Sequence, residues 1–163
     1  MRQRLLYART VVASAAFALA ALSAAADDGE RLTIIPEPGA APVELDRAAL
    51  EAMPVTMIET STIWTEGVRT FTGVLLADLV ASQGIRSEMI SAVALNDYAV
   101  EIPLSDAEPG GPIVAYMLDG AAMSVREKGP FWIIYPYDSD AKYRTETIYS
   151  RSIWQLTRIE AIE

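Results

Sequence analysis

The chain has 163 residues, a formal net charge of −9, and neither histidine nor cysteine. Those absences remove Ser-His-Asp and Cys-His nucleophiles, the usual zinc sites and every disulfide. What remains is carboxylates, hydroxyls, lysine, arginine and aromatic rings, on an acidic chain that repels nucleic acid and anionic lipid and disfavours polyphosphate ligands.

Residues 1–26 read as a secretory signal peptide. Arg2, Arg4 and Arg9 give a basic start, residues 11–22 are small and apolar apart from Ser14, and Ala24, Ala25 and Ala26 suit a signal peptidase. The apolar run is too short for a membrane anchor, which is the alternative reading, so no direct membrane insertion is expected after cleavage. Gln3 separates the first two arginines, so the twin-arginine signal is missing. The general export route to the periplasm is therefore expected. That route carries unfolded chains, and a cofactor inserted in the cytoplasm would not travel with them. Residues 27–163 make a single domain, long enough for one core. It holds all 22 acidic residues and 10 of the 13 basic ones, a net −12.

Strand RLTII (31–35) is closed by Pro36 and Pro38. Asp46 is placed to cap a short helix, RAALEAM, which Pro54 ends. VTMIET (55–60) reads as a strand. After it, Thr72 and Gly73 open VLLADLVASQ, whose Val and Leu residues recur at helical spacing, and Gly84 stops it. ISAVAL (90–95) and YAVEIP (98–103) flank Asn96-Asp97, a two-residue hairpin turn, and PIVAYML (112–118) and AAMSV (121–125) flank Asp119-Gly120 in the same way. FWIIY (131–135) is continuously apolar, as a strand buried on both faces would be. DSDAKYRTET is expected to hold a short helix, and SIWQLTRIEAI (152–162) a final strand that buries Trp154. The fold class is α+β, with a mixed or antiparallel sheet and few short helices.

Taken in order, FTGVLLADLV, AVALNDYAVEIPLSDA, IVAYMLDG, VREKGPFWIIYPYD and YSRSIWQL resemble the molybdopterin-binding domain of the sulfite-oxidase fold. Catalytic members of that family bind molybdenum through a cysteine thiolate. By the resemblance that thiolate would fall near Thr60 or Ser61, and a neutral hydroxyl is a poor ligand in its place. The family's basic loop for the cofactor phosphate is similar to YSRSIW, with Arg151 at one basic position and Trp154 at another. The export signal, the missing cysteine and NDYAVEIPLSDA resemble a subgroup of periplasmic pterin-binding regulators. That resemblance implies a reduced pterin as ligand and no molybdenum. It also implies no catalysis, and a partner in the periplasmic sensor region of an inner-membrane cyclic-di-GMP cyclase or phosphodiesterase. The alternatives are a molybdenum oxidoreductase with an unusual ligand, an interaction module with a vestigial pocket, and metal-free pterin chemistry on an Asp or Glu base.

A pterin is a flat ring with a donor–donor edge, so the residues sought are a carboxylate and an aromatic face on converging loops. Trp64, in IETSTIWTEG (58–67), is either a stacking wall or an anchor for its loop. Glu59 is a candidate acceptor for the guanidine edge. Thr60, Ser61 and Thr62 offer hydroxyls there, or serve a strand edge and turn. Asp97 and Tyr98 stand at a turn tip beside the expected pocket, although Asn96 and Asp97 equally suit the turn itself. Tyr135, Tyr137 and Asp138 are placed to line the cavity mouth, Arg126 and Lys128 form the closest basic pair, and Arg151 carries the family's basic position. The pterin-binding set is Glu59, Thr60, Ser61, Trp64, Asp97, Tyr98, Tyr137 and Arg151, and loops 59–70 and 96–98 are where ligand would alter the partner surface.

Overall fold

Two five-stranded sheets divide the apolar strands of the chain between them in a computed structural model that describes residues 30–163. The expected signal peptide over 1–26 and the start of the domain at 27 lie outside the described residues. The first sheet comprises β1 (Arg31–Ile35), β2 (Val43–Asp46), β5 (Met89–Ala94), β6 (Ala99–Pro103) and β10 (Leu156–Ile162). Its order is β2-β1-β10-β5-β6, with β1 and β10 parallel and the other pairs antiparallel. The second comprises β3 (Val55–Ser61), β4 (Val68–Leu75), β7 (Ile113–Leu118), β8 (Ala121–Ala122) and β9 (Trp132–Ile134). It runs β3-β4-β7-β8, with β9 also on β7, and is antiparallel throughout.

Among the described residues three short α-helices accompany the sheets: α1 (Arg47–Glu51), α2 (Leu76–Ser82) and α3 (Glu146–Arg151). The domain is thus α+β, mostly sheet, with mixed and antiparallel pairing and few helical residues. Asp46 caps α1 by accepting from the Ala49 N–H at 2.8 Å, as its sequence position requires. One buried cluster draws on both sheets, with Leu32, Ile34 and Ile159 from the first and Phe71, Val114 and Ile133 from the second. Phe131 to Tyr135 are fully buried, in accord with a strand covered on both faces.

Three expectations need correction. Residues 68–75 form β4 instead of leading into a helix, and α2 starts only at Leu76. The apolar run fits helical spacing because Val74 in the strand and Leu76, Leu79 and Val80 in the helix all face the core. Gly73 is no helix opener but a point of close approach, where β7 carries one extra residue, Tyr116, opposite the Thr72/Gly73 step. A Cβ on Gly73 would stand 2.1 Å from the Val114 carbonyl oxygen. The carbonyl of the bulged Tyr116 is met by Arg47, whose Nη1 donates to it at 2.7 Å.

Second, the β5–β6 turn is a three-residue loop, Leu95-Asn96-Asp97. Asp97 donates its N–H to the Ala94 carbonyl at 3.0 Å and adopts φ 63, the left-handed residue that a type I turn plus bulge requires. The β7–β8 turn does use two residues, Asp119 and Gly120, at φ 49 and φ 78. Third, β10 begins at Leu156, because residues 152–155 cross between the sheets. Ile153 accepts from the Ile133 N–H at 3.0 Å and Gln155 from the Leu95 N–H at 2.9 Å. The crossing lifts Trp154 out of the core to 38% exposure. One strand, β2, is absent from those expectations although Val43 and Leu45 alternate with Glu44 and Asp46; it pairs with β1 from Arg31–Asp46 to Ile34–Val43. Among the described residues no helix is long and apolar enough to cross a membrane.

Gly73→Ala is expected to destabilise the fold by about 2 kcal/mol or more, since backbone on β7 must move to admit the methyl. Chemical denaturation of the variant beside the parent checks this, and an unchanged midpoint would remove the close approach from the account.

Candidate functional site

The ten residues that contain Trp64 are the end of β3 and the β3–β4 connection, not a strand-to-helix loop. Local hydroxyls shape the connection: Thr62 Oγ1 accepts from the Trp64 N–H at 3.1 Å and lies 2.8 Å from Thr65 Oγ1. Arg69 Nε donates to the Glu66 carbonyl at 3.1 Å, and Gly67 closes the bend at φ 67. This geometry directs the Trp64 indole into the domain.

Asp138, just after β9, holds the strand end. Ser61 donates its N–H and its hydroxyl to the two carboxylate oxygens at 2.6 and 2.8 Å. In return the Asp138 N–H donates to Thr60 Oγ1 at 3.1 Å. The hydroxyls of Thr60 and Ser61 are therefore engaged in joining two distant segments. Asp138 itself is a clasp and does not line a cavity mouth. The two bonds from Ser61 hold its carboxyl below the ordinary carboxylate range.

Around Trp64 the rings interlock. Its centroid lies 5.7 Å from Trp132, 6.3 Å from Tyr137, 5.9 Å from Tyr149 and 5.6 Å from Trp154, each pair edge-to-face. Buried Ser152 ties this cluster to the backbone. Its hydroxyl accepts from the Tyr137 hydroxyl at 2.6 Å and donates to the Ile148 carbonyl at 2.8 Å. Its own carbonyl accepts from Trp132 Nε1 at 3.1 Å. Burial pushes the Tyr137 hydroxyl up to about 12, so it stays a neutral donor.

Beside the cluster opens a cavity of about 320 Å³ lined by Trp64, Ala94, Asn96, Tyr98, Tyr149, Ser150, Ser152, Ile153 and Trp154. The size is at the low end for small-molecule sites, which run from roughly 300 to 1,000 Å³. Three pieces of chain build it: the β3–β4 connection, the β5–β6 turn, and the end of α3 with the crossing that follows. Its walls are aromatic, and none of the lining residues is charged. Outside it, Lys128 places Nζ 4.8 Å from the Trp154 ring centroid and 5.8 Å from that of Trp132.

Of the residues singled out by sequence, Trp64 and Tyr98 line this cavity, and Tyr137 packs behind it. Glu59 does not reach it. It is exposed on the β3 face opposite buried Ile58 and Thr60. Asp97 is exposed at the turn tip and serves the turn. Arg151 lies apart, its Nη1 donating to Asp106 Oδ2 at 3.0 Å, an oxygen that also accepts from the Tyr135 hydroxyl at 2.8 Å. Neither Arg126 nor Lys128 lines the cavity. Asp119 does more than turn the chain, accepting from Arg69 Nη1 at 2.7 Å and the Thr70 N–H at 3.0 Å.

Tyr149, Ser152 and Trp154 complete the walls and were not among the expected ligand contacts. The signal lay in YSRSIW: read as a helix ending at Arg151, positions 149 and 152 lie to one side of the axis and 151 to another. Asn96, expected as a turn residue, lines the cavity in place of its neighbour. Compared with known proteins, the chain matches no family model and no curated sequence.

Two outcomes are expected. Because the Asp138 pKa is depressed in the fold, its stabilising effect is complete above the unfolded value of about 3.9 and is lost as pH falls through the folded value. Asp138→Asn should therefore lower stability at neutral pH and flatten its decline from pH 6 towards pH 3, as read by urea denaturation. An unaltered acid limb would exclude the clasp. Trp64→Ala should cost about 3 kcal/mol, because four rings lose their shared neighbour.

Proposed function

We propose that this protein is a non-catalytic, periplasmic pterin-binding protein built on a sulfite-oxidase-type molybdopterin-binding fold. In this reading a reduced pterin is its ligand, and it regulates an inner-membrane cyclic-di-GMP cyclase or phosphodiesterase through that partner's periplasmic sensor region. The observation that carries the reading is the cavity whose walls are the rings of Trp64, Tyr98, Tyr149 and Trp154. Aromatic walls with a few polar groups suit a flat, uncharged heterocycle. Lys128 already lies over one face of Trp154, which disfavours a cationic ligand against the same ring.

The residues present do not fit a molybdenum centre. Where the resemblance places a thiolate, Thr60 and Ser61 offer neutral hydroxyls that are bonded to Asp138. Arg151, at the family's phosphate position, is neutralised by Asp106. Both features favour an unphosphorylated pterin held without metal.

Regulation follows from linkage. A ligand changes a partner's state only when the partner's affinity differs between the bound and free forms. The cavity walls lie largely in the two loops expected to carry that difference, 59–70 and 96–98, together with the end of α3 and the crossing that follows.

Titration of the purified protein with a reduced pterin should quench tryptophan fluorescence saturably. Trp154→Ala should weaken binding by about ten-fold or more, the loss of one stacking face, with a smaller fall in unfolding midpoint than Trp64→Ala because the ring is partly exposed. Full affinity in that variant would move the ligand elsewhere. Stoichiometric molybdenum in protein isolated from its native compartment would overturn the reading.

A further inference from the structure

No carboxylate lines the cavity. Its polar side chains are Asn96, Tyr98, Ser150 and Ser152. Each serine spends its single O–H proton on a carbonyl of α3: Ser150 donates to Thr147 at 2.7 Å and Ser152 to Ile148 at 2.8 Å. Both can then only accept. Tyr98 presents one hydroxyl. Asn96 alone among these lining residues presents an acceptor and a donor side by side in one plane.

The orientation of that amide is set by the fold. The Tyr98 N–H donates to Asn96 Oδ1 at 3.2 Å, which places the oxygen at the turn and leaves Nδ2 with no partner among the described residues. A carbonyl oxygen keeps a second lone pair after one such bond. The free edge of Asn96 is thus one acceptor beside one donor.

On the premise that the cavity takes a pterin-like ring, we propose that Asn96 pairs with the lactam edge of the ring, its carbonyl and the adjacent ring N–H, and not with the guanidine edge. The ring N–H donates to Oδ1 while Nδ2 donates to the ring carbonyl. The specificity is then for flat bicyclic lactams as a class. A 2-amino-4-oxo ring (pterin) and a 2,4-dioxo ring (lumazine) offer the same lactam edge and bind alike. The 2-amino group, which a carboxylate would require, is not what Asn96 reads.

Asn96→Asp tests this, because an aspartate keeps the acceptor for the Tyr98 N–H and suits the turn. It presents two acceptors and no donor. Pterin can answer with its guanidine edge, whereas on that edge lumazine offers only N3–H, flanked by two carbonyls that the carboxylate repels. The parent and the variant are titrated with pterin and with lumazine in the same oxidation state. The parent is expected to bind the two within about three-fold, and the variant to disfavour lumazine by about ten-fold or more relative to pterin. A parent that prefers pterin by about ten-fold, or a variant that leaves the ratio unchanged, overturns the lactam assignment while leaving pterin binding intact. A parent that binds lumazine but not pterin shows that position 2 of the ring is read, and overturns both the lactam assignment and the pterin reading. A parent that binds neither overturns both.

Discussion

The carboxylate of Asp138 grips the end of β3 with both oxygens, and the placement of the cavity follows from that grip. β3 is the outermost strand of its sheet, paired only to β4, so its far end has no second strand to hold it. Ser61 and Thr60 supply the missing constraint by bonding to Asp138, 77 and 78 positions away. With the strand end fixed, the Thr62 hydroxyl sets the backbone of Trp64, and the indole meets Trp132, Tyr137, Tyr149 and Trp154. Ser152 does the corresponding work from the other side, bonding Trp132, Tyr137 and the end of α3. The cavity is the space left where these two anchored pieces face the β5–β6 turn.

Much of the architecture is legible in local pattern. The cap at Asp46, the Asp119-Gly120 turn and the continuous burial of residues 131–135 each follow from a rule that acts within a few residues. What local pattern misses is the boundary between β4 and α2. There one apolar run serves both a strand and a helix, because both face a single core, and hydrophobic spacing cannot mark the change. Gly73 is equally opaque: its small size answers to the Val114 carbonyl of a strand some forty positions on, a neighbour that no local window contains.

The site divides along the same line. Trp64 stands out as an aromatic among hydroxyls, and Tyr98 as an aromatic beside a turn. The acids are misleading, because a carboxylate near a pocket in sequence has many local uses. Glu59 is removed by strand alternation, Asp97 by the one-residue difference between a two- and a three-residue turn, and Asp138 by its bonds to Ser61. Asn96 and Asp97 are adjacent, yet the turn geometry decides which one lines the cavity. Arg151 and Ser152 are adjacent as well, and the helical period sends one to Asp106 and the other to the aromatic cluster.

The way the walls are assembled bears on regulation more than their chemistry does. Trp64 lies on a connection of one sheet and Asn96 and Tyr98 on a turn of the other, while Ile153 and Trp154 lie on the segment that crosses between them. In the proposed reading a flat ligand seated there would touch all three and bias how the β3–β4 connection sits against the β5–β6 turn. Exposed apolar side chains flank the wall residues, with Ile63 beside Trp64 and Leu95 beside Asn96, at 63% and 56% exposure. A partner that touches those neighbours is one residue from the ligand on each loop. In the regulatory reading, occupancy then changes the rim a partner meets without any large movement of the sheets, and the energy of that change is bounded by the difference in contacts the ring makes in the two loop arrangements.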